Sequence, residues 1–240
     1  GFAMTLSESP LKKLLKFFGR KHLTAHSLAA LFVLLASDAF AAETENAPKL
    51  KAIADKLNAV PVYFLEQTTG ERYTVDPGKD EDSVVPVFFY PGSAGSLRDD
   101  LRTKEPPVET TVVEEGLGEI YLSIQNSRSS KLRHALIADP AQVDAARRIT
   151  KDDSFNETPV FAVRMKDGGG FLTMKNADGT HSLPFFIESQ RAFAALNLLT
   201  NQNEDFKGQL AVSAIPLRTA VSDMIDGRLQ TRTVLFIPPQ

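Results

Sequence analysis

The side chains best able to do chemistry in this 240-residue chain are few, and their spacing is poor for it. Four histidines are present, His22, His26, His134 and His181. His22 and His26 stand four apart on an expected helix, which is half of a zinc-binding geometry. No Glu follows His22 in the H-E-x-x-H manner and no third ligand is near in sequence, so both read as solvated helix histidines. The glycine-rich stretches "PGSAGS" from Pro91 and "KDGGG" from Lys166 invite comparison with phosphate cradles. Neither runs on into Gly-Lys-Ser/Thr, and the second falls where a hairpin turn is expected, so both read as turns. There is no G-x-S-x-G elbow. The acid pairs Asp99-Asp100, Glu114-Glu115 and Asp152-Asp153 are sequence neighbours, whose side chains diverge on a helix or strand instead of sharing a proton. The absence of cysteine excludes disulfides, thiolate metal sites and cysteine nucleophiles. An enzyme would have to assemble its site from distant residues such as His134, His181 and an Asp. The expectation is therefore a protein that is not an enzyme, with no catalytic residues, no cofactor and no metal.

The elements that would position a binding surface come next. "VPVYFLEQTTGERYTV" starts at Val60, and 98 residues later the chain reads "TPVFAVRMKDGGGFLTM". An apolar run, a polar or glycine-rich turn and a second apolar run form a hairpin signature. Pro61 pairs with Pro159, Pro86 with Pro184 and Pro140 with Pro238 at that one offset, which argues for an internal repeat. Helices are expected at 47–60, 93–103, 117–127, 140–150, 189–200 and 216–227, the second of them capped by Ser93. Strands are expected near 60–66, 71–76, 84–90, 108–115, 132–140, 159–165, 170–175, 183–187, 209–216 and 232–239. Hairpins mixed with helical crossovers predict an α+β (mixed α/β) fold of two pseudo-symmetric lobes, 47–140 and 141–240, each a mixed or antiparallel sheet covered by helices. Their junction, or the faces flanking it, is the expected place for a groove.

Among sixteen phenylalanines, two doublets stand out, Phe88-Phe89 and Phe185-Phe186. Adjacent strand residues face opposite ways, so each doublet should send one ring to the core and one to the other face. That second face must be covered by helices or used to bind something.

The first 46 residues form a separate compositional unit. Residues 1–41 carry a net charge of +3, leaving −6 on the body, and the whole chain is at −3, too weak a field to gather nucleic acid. "GFAM" reads as an expression scar ahead of "TLSESP". In "SPLKKLLKFFGRKH", Leu11, Leu14, Leu15 and Phe18 share one face and lysines take the other, after Ser9 and Pro10 as N-cap and N1. That basic amphipathic helix suits a membrane surface, a partner's groove or its own domain. "SLAALFVLLASDAFAAE" from Ser27 is too short to span a bilayer and reads either as a second helix or as part of a secretory leader.

"KLNAVPVYFLEQTTGERYTV", "ETPVFAVRM", "HSLPFFIESQRAFAAL" and "DMIDG…TVLFIPPQ" together resemble the Tic-twenty-two family over about residues 47–240. The resemblance implies a two-lobed α/β protein of plastid protein import or its cyanobacterial relatives, located in an intermembrane space or periplasm. It implies a chaperone-like factor that binds unfolded precursor proteins in transit. The expected client contacts are Tyr63, Phe88, Phe161 and Phe185, and the membrane- or partner-facing residues are Leu11, Leu14, Leu15 and Phe18. A scaffold docking translocon components at a membrane surface is the alternative.

Overall fold

The structure, a computed structural model, describes residues 47–75, 83–126 and 132–240. The basic and apolar segments expected before residue 47 lie outside the described residues.

Six α-helices and nine strands alternate along the described chain: α1 (Ala47–Leu57), β1 (Pro61–Gln67), β2 (Ser83–Phe88), α2 (Pro91–Arg102), β3 (Thr110–Gly116), α3 (Leu117–Asn126), β4 (Leu132–Ile137), α4 (Pro140–Thr150), β5 (Pro159–Met165), β6 (Met174–Lys175), β7 (His181–Phe186), α5 (Ser189–Gln202), β8 (Leu210–Pro216), α6 (Leu217–Ile225) and β9 (Val234–Ile237). The expected strands at 71–76 and 170–175 shrink, the first to bridges at Arg72 and Val75 and the second to β6 and a bridge at Phe171. Ser93 does not cap α2. The helix begins two residues earlier at Pro91, which fits a first turn because proline has no N–H to satisfy there, and Tyr90 takes the N-cap position. Pro140 opens α4 in the same way, behind an Asp139 carboxylate that accepts from the Ala141 N–H at 2.7 Å.

The strands make two mixed sheets. In the first the order is β3-β1-β2-β4, with β2 and β4 parallel. In the second, β8-β5-β7 continues through β9, parallel to β7, and β6 pairs with the start of β7. Period-two alternation sorts the side chains into layers. Val62, Phe64, Val85 and Val87 of the first sheet and Val160, Ala162, Leu183 and Phe185 of the second enter one buried cluster with Ile53, Leu117, Leu217 and Met224 from α1, α3 and α6. The space between the sheets, where a groove was expected, is thus a core common to both halves. On the far side of the first sheet Leu65 and Phe88 pack under Ala94, Leu97 and Leu101 of α2. On the far side of the second, Phe161 and Phe186 pack under Ala145 and Ala146 of α4 and Ala192 of α5. Each phenylalanine doublet divides as the strand geometry requires, with Phe89 and Phe185 facing inward and Phe88 and Phe186 outward.

The two sheets share their register. Tyr63 faces Phe88 and Phe161 faces Phe186, both shifted by 98. Pro61 and Pro159 open β1 and β5, while Pro86 and Pro184 each occupy the fourth place of their strand. Beyond the outer helices the shift becomes 100, because α5 has 14 residues and α2 has 12: Phe88 faces Ile137, whereas Phe186 faces Ile237. Pro140 and Pro238 are therefore not equivalent. Pro140 begins a helix and Pro238 follows the last strand.

The opening helices also part company. α4 lies on the outer face of the second sheet, whereas α1 lies inside, against α3. A Cβ on Gly118 would come within 2.0 Å of the Ala54 carbonyl oxygen, so only glycine lets α1 and α3 approach this closely. Asn58 locks the crossing, accepting from the Glu119 N–H at 3.1 Å and donating to the Glu119 carboxylate at 3.2 Å. In the second half the place of Gly118 is taken by Arg218, which forks onto Glu157.

Candidate binding surface on the outer helices

The histidines are dispersed. His134, 5% exposed on β4, has its Nε2 2.7 Å from an Arg72 guanidinium nitrogen. Because Arg72 can only donate, Nε2 accepts and the ring is neutral. Burial first and the Arg72 charge second lower its pKa to about 4. Arg72 also donates to Glu115 at 2.8 Å and stacks over the Phe64 ring at 4.5 Å. His181 is exposed at the start of β7 in the other sheet. The structure does not bring the two together, and no group of three or more metal-capable His, Cys, Asp or Glu side chains exists among the described residues. The Arg72–His134 contact is a structural device: it holds the irregular segment after β1 against the end of β4.

Of the four aromatic residues expected to meet a client, three lie inside. Phe161 and Phe185 are fully buried and Phe88 is 4% exposed. Phe185 packs on Phe171 edge-on and stacks with Phe236, at 5.5 and 5.9 Å between ring centres. Only Tyr63 is partly exposed, with its phenol held above the ordinary pKa by burial and then by Glu114. These rings build the layers, and accessible apolar surface lies elsewhere. Leu11, Leu14, Leu15 and Phe18 lie outside the described residues.

That surface is on α5. The equivalent helix α2 turns Ser93, Ser96, Asp99 and Arg102 to solvent, as an amphipathic helix normally does. α5 instead exposes Phe193 (44%), Leu198 (57%), Ala194 and Asn197, and its one charged residue, Arg191, is tied to the Pro238 carbonyl at 2.7 Å. Of the three large hydrophobic side chains most exposed among the described residues, two are on this face and the third, Leu235, is on edge strand β9. The sequence carried a signal for it: in "SQRAFAALNLLTNQ" Phe193, Leu196, Leu198 and Leu199 spread around more than one stripe, more apolar surface than a single buried face needs.

The starts of α2 and α5 meet. Tyr90, N-cap of α2, donates its hydroxyl to Glu188, N-cap of α5, at 2.8 Å. The two residues are 98 apart, so positions that correspond in the two halves touch. Burial, then the Glu188 bond and charge, and then the Asp139 charge raise the Tyr90 pKa. Glu188 also accepts from the Gln240 N–H at 3.3 Å, and Gln142 of α4 accepts from the Ser189 N–H at 2.8 Å. The outer helices are thereby fixed to one another.

A family model described as the Tic22-like family matches residues 4–240. The chain belongs to the Tic22-like family. Two solved Tic22 structures have the same fold. One, from Anabaena and described as protein transport, is 18% identical with a TM-score of 0.68, covering 79% of this chain and 92% of its own. The other, from Plasmodium falciparum, is 17% identical with a TM-score of 0.61, covering 78% and 91%. No match was found among curated proteins. The two mixed sheets with helices on their faces are thus the family fold. No helix among the described residues is long and apolar enough to cross a membrane.

Proposed function

We propose that this Tic22-like chain acts in protein transport as an ATP-independent chaperone-like factor, and that extended apolar segments of precursor proteins bind on the exposed face of α5. The observation that carries the reading is the uncharged α5 surface around Phe193 and Leu198, set against the polar face of the equivalent α2. Family membership and the transport role named for Anabaena Tic22 support it. The compartment that fits is a plastid-type intermembrane space or a periplasm. Covering side chains that are already about half buried contributes about 1 kcal/mol each, enough for weak, sequence-tolerant capture and easy release. Light scattering from a chemically denatured model client, with and without equimolar protein and without ATP, is the test. Slower aggregation is expected, with the effect reduced in Phe193→Asp and Leu198→Asp. Scattering curves that coincide with and without the protein refute the reading. The scaffold alternative rests on the basic residues between Lys12 and Lys21, and crosslinking a precursor in transit separates the two.

A further inference from the structure

We infer that the α5 face is a docking site for the chain's own N-terminal segment, through the stripe Leu11, Leu14, Leu15 and Phe18. As a competitor for clients the segment rests on the function proposed above; as a docking contact it does not.

The stripe must find its partner outside the sheets. The outward rings Phe88 and Phe186 are already roofed by Ala94, Leu97 and Leu101 and by Ala145, Ala146 and Ala192. Phe193 and Leu198 are the remaining pair of large apolar side chains exposed on one helix among the described residues. A helix laid along α5 would place four apolar residues spaced i, i+3, i+4, i+7 against them.

Charge fits the same placement. The last turn of α5 carries no basic residue, and exposed Glu204, Asp205 and Lys207 follow it; Lys207 pairs with Glu204 at 3.5 Å, so the helix dipole and one net acid leave this end weakly negative. Lys12, Lys13 and Lys16, on the face away from the stripe, would add a longer-range attraction to that end. The corresponding end of α2 carries Arg102, which bonds Glu109, and offers no such field.

Reach permits it. α1, which the segment enters, packs against β9 of the second sheet, and α5 lies on that sheet's other face. The path around is roughly 20 Å at about 10 Å per packed layer. The 28 residues from Gly19 to Asn46 would have a root-mean-square span of about 30 Å as a coil.

The absence of native cysteine makes a clean test in the full chain. Leu14→Cys combined with Leu198→Cys is oxidised and compared with Leu14→Cys combined with Ser96→Cys, which places the second thiol on the exposed polar face of α2. Docking predicts an intramolecular disulfide that forms about 10-fold or more faster in the α5 pair, because only a docked segment raises the local concentration at one helix. Equal rates for the two pairs, no disulfide in the α5 pair, or a disulfide-linked dimer as the main product each overturn the inference, the last in favour of a second copy of the chain. The oxidised α5 pair is then assayed for client protection. Retained protection would leave the docking contact standing and would refute α5 as the client site.

Discussion

Acidification offers a sharp test of how His134 is held. Its pKa falls from the ordinary 6.5 to about 4 in the fold, so between those values the unfolded chain binds a proton that the folded one refuses. Stability rises with pH wherever the unfolded state holds more protons; hence it is lost as pH falls from about 6.5 to 4, and His134 adds no further loss below that. At about 1.4 kcal/mol per pH unit the loss is about 3 kcal/mol, or roughly 6–12 °C in melting temperature for a chain of this size. The comparison is His134→Val, since the matching place in the second sheet holds fully buried Val234. Arg72 keeps Glu115 in that variant. Urea unfolding of both proteins at pH 7.5, 6.5, 5.5 and 4.5 should show the native protein losing about 2.5 kcal/mol more than the variant across the range. Carboxylates titrate in both proteins, so the difference isolates the imidazole. Two parallel pH profiles would refute the claim that a neutral, buried His134 accepts from Arg72.

Gly118→Ala should destabilise by about 3 kcal/mol or more, because its Cβ would meet the Ala54 carbonyl oxygen, a backbone atom that moves only with α1; a urea midpoint equal to the parent's would show that the helices can part without cost. A double-mutant cycle of Tyr90→Phe and Glu188→Gln should give a coupling of about 1 kcal/mol, and additive losses would mean that the hydrogen bond between the two N-caps contributes nothing to joining the outer helices.

Much of the fold is legible in the chain itself. Pro-Val runs with alternating apolar residues call for strands, and apolar residues three and four apart call for helices. The offset of 98 places Pro61 with Pro159 and Pro86 with Pro184, at matching positions of matching strands. The division of each phenylalanine doublet follows from the pleat alone. The chain has no cysteine, and the structure leaves His134 and His181 in different sheets.

The binding surface was not legible in the same way, and the reason is physical. Periodicity reports that a residue has an apolar side, not what covers it. Phe88, Phe161 and Phe185 look like ligand contacts until the outer helices cover Phe88 and Phe161 and the core shared by the two sheets encloses Phe185. The two-residue lengthening of α5, which moves Pro238 out of step with Pro140, is equally silent in a local reading, because register is set by pairing partners far away in sequence. The sequence alone determined the elements and the faces of each strand. Only tertiary packing decided which apolar faces were used up in the core and left Phe193 and Leu198 uncovered, since burial depends on every layer at once and no single segment contains that information.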